Sequence, residues 1–294
     1  MRFLFVDRIV HSSPDVIRGI KHITRDDYYL CDDERGKPCF MPSLIGETLG
    51  QLAAWNVMAR LEFKSRPVAG VVASARLHRP AYVGETLLLE SFIDVVDDTA
   101  VQYHSVARVN NETVFSIDGA LGPLLPMEHF IDPCLVRRQF DEINRPTDHR
   151  GDAAGTPSVS LNTASLHSAS PMLFDRIMAS EPGVCLTAEK NITRAAPYFA
   201  DHFPNKPVLP LTVLLECELN LAREFLARAG FNKAYRVQEL RKIKMSDFVY
   251  PGDVVFCTVT VKRHNDEELI LTFKSEVDRK RVCVLDIVMV SQSE

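Results

Sequence analysis

The chain repeats itself at a nearly constant spacing, and this repeat restricts the possible folds more than any other feature. Asp7-Arg8-Ile9 returns as Asp175-Arg176-Ile177, an offset of 175 − 7 = 168 residues. An offset of 168 or 169 persists across most of each half, which indicates two copies of one structural unit. The same spacing relates Tyr29 to Tyr198, Pro38 to Pro207, Glu47 to Glu216 and residues 82–85 to residues 250–253.

Both copies have the same order of predicted elements. An extended segment is followed by a long helix, at residues 44–62 and 211–229, and then by strand-like runs rich in Val, Ile, Thr and Phe. The helices are apolar on most faces, which favours burial inside a sheet. Predicted strands cover residues 17–23, 86–96 and 100–109 in the first copy and residues 184–192, 254–262 and 268–277 in the second.

The repeat also predicts a domain organisation. Residues 1–125 form the first copy and residues 166–294 the second. Residues 126–165 between them contain several Pro, Gly, Ser and Asp residues, which predicts a linker with a short helix near residues 135–143.

Composition excludes several classes of partner. The chain is 46% hydrophobic and 25% charged, which is typical of a soluble globular protein. A net charge of -5 argues against nucleic acid as a partner. The sequence contains no apolar stretch long enough to insert in a membrane and no signal-peptide pattern. Seven cysteines without a CxxC pair indicate a reducing compartment, so the expected location is the cytoplasm. Neither a metal nor a cofactor is expected, because the histidines lack ligand spacing and no Gly-rich phosphate loop is present.

The most specific string lies in the second copy. Residues 198–210 read YFADHFPNKPVLP, and Glu216 follows His202 by fourteen residues. This string resembles the motif H-F-P-x-x-P-V-x-P-G of the β-hydroxyacyl-acyl-carrier-protein dehydratases of bacterial fatty acid synthesis, which have a helix acid at the same spacing. Asp201 and Leu211 stand where the family has glycines.

The resemblance implies the fold class α+β, a double hot dog: two tandem antiparallel sheets, each wrapped around a long central helix. It further implies a 3-hydroxyacyl chain on acyl carrier protein as substrate, a trans-2-enoyl thioester as product, and an active site between the two copies. A tandem chain can supply both copies itself, although further self-association stays open.

The chemistry of dehydration explains the residue types at the implied site. Removal of the C2 proton needs a base, and histidine titrates close to neutral pH. Departure of the C3 hydroxyl needs an acid, and apolar surroundings favour a neutral carboxyl group. The resemblance therefore makes His202 the base, Glu47 the acid, Gln51 its support and the Leu211 N–H a donor to the thioester oxygen. Tyr198, Phe203 and Pro210 are the expected substrate contacts.

Each copy lacks one of the site residues that the other copy has, and these differences predict which groups work together. Position 202 − 169 = 33 holds Asp33, so the first copy has no base, and position 51 + 169 = 220 holds Asn220. In the family the histidine of one copy works with the acid of the other. We therefore predict one complete site from His202, Glu47 and Gln51, and a vestigial site from Asp33, Glu216 and Asn220.

Acyl carrier proteins are acidic, so a basic docking surface is expected despite the net charge. Candidates are Arg76, Arg79, Arg241, Lys242 and Lys244. Two alternatives stay open: a hot-dog acyl-thioesterase, or a non-catalytic subunit that binds acyl chains or a partner because Leu211 narrows the pocket.

Overall fold

The computed structural model describes residues 3–146, 172–231 and 233–291. The first half contains β1 Arg8–Ser12, β2 Val16–His22, β3 Leu30–Asp32, β4 Pro38–Phe40, α1 Pro42–Arg60, β5 Ser65–Pro67, β6 Val71–Leu77, β7 Thr86–Val96, β8 Ala100–Val109 and β9 Glu112–Pro126. After α2 Pro133–Ile143, the second half contains β10 Arg176–Glu181, β11 Cys185–Asn191, α3 Leu211–Ala229, β12 Tyr235–Met245, β13 Val254–His264, β14 Glu268–Val277 and β15 Lys280–Ser291.

Equivalent residues make equivalent contacts in the two halves. The Asp7 carboxylate accepts the N–H of His22, and the Asp175 carboxylate accepts the N–H of Asn191. The hairpins at residues 110–111 and 278–279 both turn through two residues with positive φ, the geometry that matches the twist of antiparallel strands. The sequence repeat is thus a repeat of structure down to individual hydrogen bonds.

Thirteen strands form one continuous sheet in the order β1-β2-β7-β8-β9-β6-β12-β15-β14-β13-β11-β10, with β5 paired to β9. The two halves meet where β6 pairs antiparallel with β12, so that Leu240 lies opposite Ala75. The predicted double hot dog is confirmed, and the structure adds that the two sheets are joined edge to edge.

The two long helices lie inside this sheet. Helix α1 packs against β2, β7 and β8 and α3 against β11 and β13, and the helices also contact each other. Pro42 is well suited to the first turn of α1, because that turn needs no N–H from it. Gly230, with φ of 67°, ends α3 in the left-handed conformation that glycine adopts easily.

The predicted linker helix is confirmed as α2. The Asp132 side chain caps it by accepting the N–H of Cys134. Phe140, on its buried face, contacts Trp55 and Phe63 of the first half. Residues 147–165 of the predicted linker lie outside the described residues. Among the described helices, none has the length and apolar character needed to cross a membrane.

Candidate active site

His202 lies in the loop before α3, where one ring nitrogen is already engaged. Its Nδ1 is 2.9 Å from the carbonyl oxygen of Val208. A carbonyl only accepts hydrogen bonds, so Nδ1 carries the proton and the lone pair of Nε2 is free. The Val208 N–H in turn donates to the His202 carbonyl at 3.2 Å. These contacts hold the imidazole in the tautomer that a general base requires.

Burial lowers the pKa of His202 below its usual 6.5. The nearby Glu47 carboxylate and the Val208 carbonyl act in the opposite direction, while Arg66 adds to the lowering. The net effect keeps the ring neutral at pH 7, the form that can accept a proton.

Glu47 lies on α1, in the other half, and both of its oxygens are positioned. Gln51, one helical turn later, donates from Nε2 to Oε1 at 3.0 Å. Thr212, at the start of α3, donates from Oγ1 to Oε2 at 2.7 Å. This hydrogen bond from Thr212 joins the two halves. It holds the first-half carboxylate at the start of the second-half helix.

The second carboxylate mirrors this arrangement without a base. Glu216 of α3 accepts the backbone N–H of Ser43, at the start of α1, at 3.2 Å. Ser43 is the repeat equivalent of Thr212, since 43 + 169 = 212. Each helix carboxylate therefore meets the start of the opposite helix.

A cavity of about 420 Å³ lies between the halves and brings the predicted catalytic groups together. His202, Glu47 and Gln51 all line it, as does Leu211. Because Leu211 is the first residue of α3, its N–H has no acceptor within the helix. The helix dipole also favours negative charge at this end. The remaining wall is largely apolar and includes Ala75, Phe115, Leu215, Leu219, Leu240 and Ile243.

The predicted substrate contacts are only partly on this cavity. Phe203 lines it, and its ring stacks on His202 with centroids 4.0 Å apart. Tyr198 instead packs its ring near Phe3, and its carbonyl accepts the His202 N–H at 3.0 Å. Pro210 precedes α3 as its N-cap and is not among the lining residues. Both residues hold the loop rather than border the cavity.

The residues predicted as a vestigial site, Asp33, Glu216 and Asn220, lie outside the lining of this cavity. Asp33 accepts from the Tyr82 hydroxyl at 2.9 Å and from backbone N–H groups, of which that of Lys37 does most to hold its pKa below the usual range. Asn220 donates to the Met172 carbonyl at 2.9 Å, just as Gln51 donates to that of Phe3 at 3.1 Å. None of the three lines the cavity described above.

The predicted docking residues lie away from the cavity wall. Arg76 and Arg241 both pair with the buried Glu239, and Arg79 pairs with Glu85 and Glu112. Lys242 and Lys244 are exposed on β12. None of the five belongs to the lining residues.

Sequence reasoning missed three contacts at the site. Thr212 is the repeat equivalent of Ser43, and this equivalence could have suggested the hydrogen bond from Thr212 to Glu47. Asp201, one of the departures from the family motif, accepts the Phe3 N–H at 2.7 Å and ties the N-terminal segment to the histidine loop. Arg66 on β5 also lines the cavity, and no part of the repeat indicates it.

Comparison with known proteins finds relatives of the second half and of the whole fold. Residues 167–286 match the family model of the FabA-like domain. The 3-hydroxyacyl-[acyl-carrier-protein] dehydratase FabZ of Shewanella woodyi is 30% identical over 120 residues, which cover 40% of this chain and 79% of that protein.

Two solved structures share the fold over nearly the whole chain. The dehydratase domain of PpsC from Mycobacterium tuberculosis, in complex with C12:1-CoA, has a TM-score of 0.56 at 10% identity and 98% coverage of both chains. A putative oleoyl thioesterase from Lactobacillus plantarum has a TM-score of 0.60 at 12% identity, with 97% of this chain and 98% of that one covered.

The fold thus defines a double hot-dog protein. Within that class, the chain belongs to the hot-dog dehydratase family that includes the FabZ proteins.

Proposed function

We propose that the protein removes water from a 3-hydroxyacyl thioester to give the trans-2-enoyl thioester. The supporting observation is that the free Nε2 of His202 and the Glu47 carboxyl border one largely apolar cavity, although they come from different halves. Residues 1–125 and 166–294 are accordingly the two copies of one unit, and residues 126–165 are the linker between them.

The elimination assigns one task to each group. His202 Nε2 takes the proton from C2, and the electrons of that C–H bond form the new C2–C3 double bond. The C–O bond at C3 breaks, and the oxygen leaves as water with a proton supplied from Glu47. Gln51 and Thr212 keep Glu47 in place, while the Leu211 N–H stabilises the charge that develops on the thioester oxygen.

The proposal further specifies that the substrate is bound to a carrier protein and that the reaction takes place in the cytoplasm. The acyl chain of the FabZ relatives is borne by acyl carrier protein, as their names state. The largely apolar wall of the cavity suits an alkyl chain, and the seven cysteines are free thiols, as in a reducing compartment.

A set of 3-hydroxyacyl thioesters of increasing chain length, on pantetheine, coenzyme A and acyl carrier protein, tests the function. Enoyl absorbance reports dehydration and a thiol reagent reports hydrolysis. We expect the enoyl product without free thiol, and the activity should disappear in His202→Ala. Thiol release with no enoyl product would instead identify a thioesterase.

A further inference from the structure

Arg66 is a cation placed inside the proposed active site. Its guanidinium stacks on the Phe203 ring with Cζ 3.6 Å from the centroid, and it lies 5.6 Å from the centroid of Phe130. The residue lines the same cavity as His202 and Glu47. It belongs to the short strand β5, whose pairing with β9 holds Arg66 opposite Leu125.

The charge of Arg66 lacks an anionic partner among the described residues. Its Nε is buried without a hydrogen-bond acceptor. Both oxygens of Glu47, the nearest carboxylate that acts on it, are taken by Gln51 and Thr212. Burial lowers the pKa of Arg66 to about 9, with Glu47 acting in the opposite direction, so the group stays charged at neutral pH. A half-buried cation without a counter-charge, with its Nε buried, costs stability, which is typical of a group kept for a ligand.

Arg66 and His202 lie on opposite faces of the Phe203 ring, at 3.6 Å and 4.0 Å from its centroid, so a substrate that reaches both must pass the edge of that ring. The guanidinium carbon is at most about 8 Å from the imidazole centre, a distance that two contacts of about 3 Å and the substrate atoms between them can span. In a thioester, C2 and the carbonyl oxygen are two bonds apart. One substrate can therefore present its C2 proton to Nε2 and its oxygen to Arg66.

We propose that Arg66 is a further catalytic residue, which donates a hydrogen bond to the thioester oxygen while that oxygen carries enolate charge. This inference rests on the proposed function. When Nε2 takes the C2 proton, the freed electron pair delocalises onto the oxygen, where Arg66 stabilises it. When the C3–O bond breaks, the pair forms the double bond and the charge on the oxygen disappears. The Leu211 N–H, in a position where the family has glycine, then shares this task with a charged donor.

Four variants and two readouts test this role. Arg66→Met keeps the length of the side chain and removes the charge, and Arg66→Lys keeps the charge without the planar fork. Lys206→Met is the matched control, because Lys206 contacts the same Phe130 ring at 5.3 Å but does not line the cavity. The fourth variant is His202→Ala. The readouts are steady-state dehydration and the infrared carbonyl stretch of bound trans-2-decenoyl-pantetheine, which needs no turnover.

We expect Arg66→Met to lower kcat about 100-fold, as the loss of one oxyanion donor does, with KM changed less than threefold. Arg66→Lys should recover part of this loss. The carbonyl stretch should shift to lower frequency on binding to the wild type and to His202→Ala, and much less on binding to Arg66→Met. Thermal stability should not fall in Arg66→Met, since an unpaired buried charge is removed. Lys206→Met should match the wild type in both readouts.

The outcomes separate this inference from the proposed function. An unchanged carbonyl shift or a kcat within threefold of wild type in Arg66→Met would overturn the role of Arg66 and leave dehydration intact. An Arg66-dependent shift in a protein that dehydrates no substrate would support the contact and remove the function. Failure of the wild type to bind the thioester would overturn both.

Discussion

The two halves carry the same helix carboxylate, yet only one of the carboxylates meets a base. Glu47 shares a cavity with His202, whereas Glu216 bonds the Ser43 N–H, and the repeat equivalent of His202 is Asp33. In the proposed crosswise arrangement, each site takes a loop from one half and a helix from the other, so one loop can differ without damage to the other site.

In the first half, the loop that lacks the histidine is a closed structural element. In the first half it forms the small sheet of β3 and β4, with the Cys31 and Cys39 sulfurs 3.6 Å apart and Asp33 bonded to Tyr82. In the second half the corresponding loop is an irregular segment fixed by prolines and by the bond from His202 to Val208. The first-half hairpin bonds its own polar groups, while among the described residues the Nε2 of His202 has no hydrogen-bond partner.

The sharpest test of this comparison removes the base from one half and its equivalent from the other. His202→Ala should lower kcat/KM for dehydration by roughly 10²- to 10⁴-fold, the usual contribution of a general base. Asp33→Ala, its control, should leave kcat/KM within threefold. Circular dichroism should show that both variants fold. A mild effect of His202→Ala, below threefold, would remove the base assignment.

The crosswise pairing predicts different effects for the two helix acids. Glu47→Gln keeps the shape and one acceptor oxygen for Gln51, with the amide N–H now donating to the Thr212 hydroxyl, but loses the proton donor, so kcat should fall by about 10²-fold. Glu216→Gln should keep most of the activity, because that carboxylate faces Ser43. Steady-state kinetics of both variants decides the matter, and the reverse ranking would mean that His202 works with the acid of its own half.

Much of the fold and of the site could be predicted because repeats and motifs are local patterns. The predicted second-half helix, residues 211–229, is the one observed, and the glycine that follows it is an explicit end signal in the sequence. The predicted first-half helix, residues 44–62, is shifted by two residues from the observed one. The observed helix ends at Arg60, and Glu62 and Phe63 follow with positive φ and no glycine to announce it. The local sequence contains no signal that predicts a helix end of this kind.

The remaining features depend on long-range contacts that one sequence does not encode locally. The pairing of β6 with β12 joins edges that are far apart in the chain. Thr212 reaches Glu47 only because two helix starts converge, and Arg66 faces the cavity only because β5 pairs with β9. The placement of His202 and Glu47 at one cavity was predictable, because complementary losses in two copies carry three-dimensional information. Their role in catalysis stays a prediction.

One of the buried positions that differ between the two halves predicts a pH-dependent stability. Glu218 in α3 occupies the position of Leu49 in α1, and burial raises its pKa to about 8 from 4.5. The folded state then binds more protons than the unfolded state between these values. The free energy of unfolding should therefore decrease as pH rises from about 4.5 to 8, by an amount of the order of 3–5 kcal/mol.

Denaturant unfolding at pH 5 and pH 8 checks this contribution. Glu218→Leu, which copies the first half, should lose less stability between the two pH values than the wild type. It leaves the Ser275 hydroxyl and the Cys257 thiol, now 2.7 Å and 3.9 Å from Glu218 Oε1, without this acceptor. Glu224→Gln on the exposed face of the same helix is the control and should behave as the wild type. Equal pH dependence in all three proteins would show that Glu218 titrates normally.

The smallest expected effect concerns the predicted docking of a carrier protein at the junction of β6 and β12, where the two halves meet. Arg76 and Arg241 lie on either side of this junction, but both are committed to Glu239. The exposed Lys242 and Lys244 are therefore the better probes of docking.

Exposed ion pairs contribute roughly 0.2–1 kcal/mol each, so two reversed lysines should raise KM for a carrier-bound substrate about three- to tenfold. A pantetheine substrate, which has no protein surface to lose, should keep its KM. The double variant Lys242→Glu with Lys244→Glu is compared with Arg279→Glu with Lys280→Glu, which makes the same change of charge on the exposed β14–β15 hairpin. Added salt should weaken the carrier-bound reaction of the wild type and narrow the difference, because screening acts on exposed charges. Equal KM changes for carrier-bound and carrier-free substrates, or equal effects of the two double variants, would move the docking surface away from β12.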